Sequence, residues 1–148
     1  MKNQIMTTIA ALALFVTLAA GSAYAQSADR MKVTVPFDFT VSGKTFPAGE
    51  YVVRRGIQGP LVVLAIRSEA GKEAAYLATH TVQGGETQQQ SKLVFNRYGD
   101  QYFLSQAWMW GRSYGDELPR TRRERLLLRE IAKRRAKSET IDIAGELK

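Results

Sequence analysis

The stretch Gly111-Arg112-Ser113-Tyr114-Gly115 spells Gly-x-Ser-x-Gly, the pattern that in α/β-hydrolases sets a nucleophilic serine on a tight strand-to-helix turn. Serine attack needs a base, and in that fold the histidine follows the serine in the chain. The single histidine here, His80, precedes Ser113, and the strand–helix alternation of such a fold is missing too. The two glycines therefore read as loop punctuation, and a secreted hydrolase acting through Ser113 remains only as the enzyme alternative. No catalytic residue is assigned. His80 reads as a strand residue, because a metal site draws on three or four convergent ligands. Asp38, Glu50, Asp100, Asp116 and Glu117 are scattered over turns and strand ends, where solvated carboxylates are the expectation. No phosphate-cradling glycine loop and no dinucleotide fingerprint occurs, so neither a metal nor a cofactor is expected.

Two sets of side chains speak for binding instead. Phe95, Tyr98, Tyr102, Phe103, Trp108, Trp110 and Tyr114 form the most aromatic stretch of the chain. Core packing accounts for most of them. Trp108, Trp110 and Tyr114 are the candidate ligand contacts, since an apolar face with a polar tip suits small-molecule and glycan sites. The second set is basic: between positions 120 and 137, nine Lys and Arg residues face only Glu124 and Glu130, although the chain's formal net charge is only +7. Attraction for an anionic partner should act through this segment, with Arg122, Arg125, Arg129, Lys133 and Arg134 as its contacts.

These side chains need elements to hold them. Thr121-Arg122-Arg123-Glu124 matches a helix capping box. Beyond it, Leu127, Leu128, Ile131 and Ala132 share one face while the basic residues lie away from it, which predicts an amphipathic helix over about 121–137. A basic amphipathic helix suits an anionic envelope surface, another exported protein is the other partner considered, and nucleic acid is disfavoured because no aromatics are interleaved with the charges. Residues 138–148 are expected to be a disordered tail.

Upstream the periodicity is that of strands. Met31, Val33, Val35, Phe37, Phe39 and Val41 alternate with polar residues, giving a strand with one buried face; Pro36 puts it at an edge, at a bulge, or broken into two pieces, with an edge favoured. Residues 50–55, 73–82, 92–97 and 101–108 read as further strands, the last two joined by a tight turn at Gly99-Asp100. The run Leu61-Val62-Val63-Leu64-Ala65-Ile66 lacks polar alternation, so both its faces should be covered, one of them by the apolar stripe of the helix. Residues 83–90 should form a mobile polar loop. The expectation is a single all-β domain over 26–137: a small antiparallel barrel or sandwich of about six strands with one C-terminal amphipathic basic helix. An apolar-ligand carrier using the β domain and its aromatic hairpin is the alternative to a non-enzymatic binding or envelope-associated protein.

The N-terminus predicts export. Lys2, an apolar run from Ile5 to Ala20 and the small-x-small site Ala23-Tyr24-Ala25 make residues 1–25 a secretory signal peptide. The product should be periplasmic or secreted, with no membrane span after cleavage. With no cysteine anywhere in the chain, its stability has to come from burial alone.

Val35-Pro36-Phe37-Asp38-Phe39, Gly43-Lys44-Thr45-Phe46-Pro47-Ala48-Gly49-Glu50-Tyr51 and Val94-Phe95-Asn96-Arg97-Tyr98-Gly99-Asp100-Gln101-Tyr102-Phe103-Leu104 together resemble a family of small, uncharacterised exported proteins found mainly in acidobacteria. Members usually show Leu where Phe46 stands and Ser where Thr121 stands. The resemblance, covering about residues 31–137, implies export and a shared β domain, and brings no activity or cofactor with it.

Overall fold

A computed structural model describes residues 29–58, 60–134 and 138–147; the expected signal peptide lies outside the described residues. The first strand, β1 (Arg30–Val35), buries Met31, Val33 and Val35 and leaves the residues between them outside, as a period of two requires. Pro36 ends it. The alternating run resumes as β2 (Phe39–Val41), which turns through Ser42 and Gly43, both at positive φ, into β3 (Lys44–Phe46). Next come β4 (Gly49–Gln58), β5 (Leu61–Ser68) and β6 (Ala74–Gln83), an antiparallel meander. The expected hairpin is β7 (Ser91–Tyr98) and β8 (Gln101–Trp108), turned at Gly99 with φ 62°. A short β9 (Tyr114–Glu117), the helix α1 (Arg122–Arg134) and β10 (Ser138–Leu147) complete the chain.

The sheet closes on itself. Neighbours run β8-β7-β10-β1-β4-β5-β6-β9, and β9 pairs back onto β8 at Gln106–Trp108, giving an eight-stranded antiparallel barrel. β2 lies parallel to β8 at Thr40 and Phe103, with β3 outside it. Among the described residues the chain therefore forms an all-β barrel with one helix, and ten strands where about six were expected. The short strands β3 and β9 cannot display a periodicity, which hid them, and β2 is the far part of the alternating run, split from β1 after Pro36.

Further expectations are corrected. Residues 138–147 are no disordered tail: β10 sits between β7 and β1, paired with both. Its Ile141 and Ile143 are half-buried and its Gly145 is buried. Of the alternatives for Pro36 the chain takes the break into two strands, not the favoured edge: β1 is flanked on both sides by neighbours. The run at Leu61 is an ordinary one-faced strand, with Leu64 and Ile66 buried and Leu61 55% exposed. Helix α1 rests on β7 instead of β5, because the short link after β9 sets it down beside β8 and β7. Residues 84–90 are tied across the β8–β9 turn, where Gly84 N–H donates to Ser113 O (2.7 Å), Gln88 N–H to Arg112 O (2.9 Å) and Gly111 N–H to Gln88 O (2.8 Å).

The interior is filled by side chains. Met31, Val33, Val35, Tyr51, Val53, Leu64, Ile66, Leu93 and Phe95 are at most 2% exposed. At the end where β4 enters, Phe39 packs edge-on to Tyr51 and Phe95, with Phe46 beside it, and Tyr51 OH donates to Pro47 O. Such edge-to-face rings stabilise by about 0.5–1.5 kcal/mol each beyond their buried area.

Candidate functional site

Two places gather chemistry-bearing side chains. The first is α1. Thr121 Oγ accepts from Glu124 N–H at 3.2 Å, the first half of the capping box. The second half is diverted: Glu124 Oε1 accepts from Asn96 Nδ2 (3.1 Å) and Tyr98 OH (3.2 Å) on the outer face of β7. Glu124 is only 4% exposed, so this carboxylate fastens the helix to the barrel. Burial, and after it the Glu124 charge, pushes the Tyr98 hydroxyl up to about 12.

Leu127, Leu128 and Ile131 are half-buried on the same side as Glu124. Arg122, Arg125, Arg129 and Lys133 are exposed, and their spacing lines them up along one stripe. Among the described residues none of these four has an ion-pair partner. Arg134 closes the helix, its side chain outside the described residues.

The second place is the barrel end where β9 starts. Asp116, 1% exposed, accepts from Arg55 Nε at 2.8 and 3.1 Å through its two oxygens. Burial holds its carboxyl above the usual range, against the opposing pull of Arg55. The guanidinium carbons of Arg55 and Arg112 lie 5.3 and 5.1 Å from the Tyr114 ring centre. Arg112 also donates to Tyr114 OH and Asp29 Oδ1. Asp116 was expected to be solvated. It follows Tyr114 by two in β9 and so points inward, a phase that a four-residue strand does not reveal in sequence.

The three candidate ligand contacts separate. Trp108 is 9% exposed, its indole pressed between two glycines: a Cβ at Gly84 would meet it at 2.5 Å and one at Gly115 at 2.6 Å. It serves packing. Tyr114 is clasped by two arginines. Trp110 alone presents its ring, at 48% exposure, with its backbone N–H donating to Ser91 Oγ at 2.9 Å. The structure does not bring Ser113 and His80 together. His80 stands opposite Glu117, and Ser113 lies four residues back from it, just before that strand begins, roughly 13 Å away at the rise of an extended chain. Among the described residues no three His, Asp or Glu side chains converge as metal ligands, and no helix is long and apolar enough to cross a membrane.

No family model, curated protein or solved structure matches the chain.

Proposed function

We propose that this is an exported, non-catalytic binding protein that docks on an anionic component of the cell envelope through α1. The observation that carries the reading is the exposed, unneutralised row Arg122, Arg125, Arg129 and Lys133 on a helix whose other side is fastened by Glu124. Positive charge held on a fixed scaffold concentrates an attractive field. Near an anionic bilayer surface each such side chain contributes about 1 kcal/mol. Leu126, 49% exposed, lies within the row and supplies an apolar contact. The apolar run before Ala23-Tyr24-Ala25 and the resemblance to exported proteins support the placement. The filled barrel interior weighs against a carrier with its ligand inside.

The test is flotation of the chain from Gln26 onward with vesicles. It should rise with mixed phosphatidylglycerol and phosphatidylcholine vesicles, stay behind with phosphatidylcholine alone, and be released by salt. The R122Q/R125Q/R129Q/K133Q variant should lose the binding. Equal behaviour with both vesicle types would overturn the reading.

A further inference from the structure

A different surface, on the barrel wall, carries a second signal that owes nothing to α1. Arg30, Arg54, Ala65 and Tyr76 stand directly opposite one another across β1, β4, β5 and β6. Each is next in sequence to a buried residue, Met31, Val53, Leu64 or Leu77, so all four face outward. Arg67, opposite Val52, sits diagonally from Arg54. Together they line a groove of about 340 Å³, with Ser68, Glu69 and Ala74 at its end.

Like charges set opposite each other on paired strands oppose folding, and Arg30 faces Arg54 in this way. Nearby carboxylates do not relieve them. Glu50 and Glu69 lie 3.1 and 3.9 Å from Lys32 Nζ. Among the described residues no carboxylate reaches ion-pair distance of Arg30, Arg54 or Arg67. Arg30 Nε is enclosed and has no acceptor among the described residues, an exception among buried donors. Nothing in the described protein therefore fixes that guanidinium by its ε nitrogen. Beside the charges lies an apolar shelf of Ala65 and Val52, both half-buried, walled by the ring of Tyr76 at 78% exposure.

We infer that this groove binds an anionic saccharide. The apolar face of one sugar ring lies on the Ala65 shelf against Tyr76, and its carboxylate, phosphate or sulfate is held by Arg54 and Arg67, with Arg30 behind them. Guanidinium forks match such oxyanions in two-point contact. Single-stranded nucleic acids are held differently, by several aromatics stacking successive bases, and this groove offers one.

The experiment is calorimetric titration of the chain from Gln26 onward with trigalacturonate, glucose 6-phosphate and a sulfated disaccharide, with maltotriose as the neutral control and oligothymidylate as the competitor class. At least one acidic saccharide should bind and maltotriose should not. R54Q/R67Q should weaken that binding by at least about tenfold, Tyr76→Ala by several-fold, and the α1 variant R122Q/R125Q/R129Q/K133Q should leave it unchanged. Arg54→Gln should hold or raise the thermal midpoint, since it removes an opposed charge. Silence from all three acidic saccharides, indifference to R54Q/R67Q, tighter binding of oligothymidylate, or a large fall in midpoint for Arg54→Gln would each overturn the inference. Loss of vesicle flotation with saccharide binding intact would sink the envelope reading alone.

Discussion

Gly115 and Trp108 are cross-strand partners in the β8–β9 pair, and the indole of Trp108 fills the space where a side chain at 115 would begin. A Cβ there would lie 2.6 Å from Cδ2 of a ring that cannot bend away, and Gly84 closes the other side just as tightly, at 2.5 Å. This pairing clasps β9 to the hairpin. Gly115→Ala should therefore destabilise the fold by about 1–3 kcal/mol, the usual cost of overpacking. In a Trp108→Ala background the same change should cost far less, and a double-mutant cycle read by urea unfolding measures the difference.

The Arg55–Asp116 pair makes a second prediction. Removing one member leaves a buried charge alone, so Asp116→Ala should cost about 3–5 kcal/mol, whereas the joint replacement R55M/D116L should be nearly neutral. The pH dependence follows from burial. Asp116 is held above its ordinary range, so the folded chain keeps that proton more tightly than the unfolded chain does. Its contribution to stability is complete below about pH 4 and fades as pH rises through the raised value. The stability of wild type relative to Asp116→Asn should accordingly fall between acid and neutral pH. A rising difference in chemical denaturation would contradict this assignment.

Much of this barrel is legible in the sequence, and what is not has physical causes. The hairpin around Gly99 and the alternation of Met31, Val33 and Val35 announce themselves because period two and a positive-φ turn are local properties. So does the cap at Thr121. Where Glu124 directs its carboxylate is not local: Asn96 and Tyr98 compete for it from a strand that only the closed barrel brings near. β10 hides because its isoleucines stand among charged residues: Asp142 and Glu146 lie on its outward face, and Glu139 sits at its exposed start, paired with Arg97. Asp116 hides because its partner Arg55 is 61 positions away. The basic row on α1 was visible from composition, whereas the arginines at 30, 54 and 67 become neighbours only through strand register.

Tyr98 offers a test at the alkaline end. Its hydroxyl is pushed up to about 12, against about 10 in an unfolded chain. Between those values the unfolded chain loses the proton first, so stability contributed by this group is whole below pH 10 and declines as pH rises toward 12. The two-unit gap corresponds to about 2–3 kcal/mol. Tyr98→Phe should remove that slope from the difference between the two proteins, as monitored by guanidinium unfolding from pH 9 to 11. An unchanged slope would show that Tyr98 ionises as freely folded as unfolded.

The placement of β10 makes the strongest claim about how this fold holds together. A disordered tail can be cut without consequence, whereas a strand paired on both sides cannot: Ser138 to Gly145 pair with β7, and Gly145 to Leu147 pair with β1. Ending the chain at residue 134 would open the barrel between β7 and β1 and expose two unpaired strand edges together with Met31 and Leu93, both now fully buried. Such edges invite aggregation. The truncated chain should lose cooperative thermal unfolding and bind a hydrophobic dye. Adding a peptide of residues 138–148 should restore a cooperative transition whose midpoint climbs with peptide concentration, as mass action requires. A scrambled peptide of equal charge separates strand completion from non-specific rescue, because only the native order puts Ile141 and Ile143 on the inward face. A truncated chain that melts like the full one would remove β10 from the barrel.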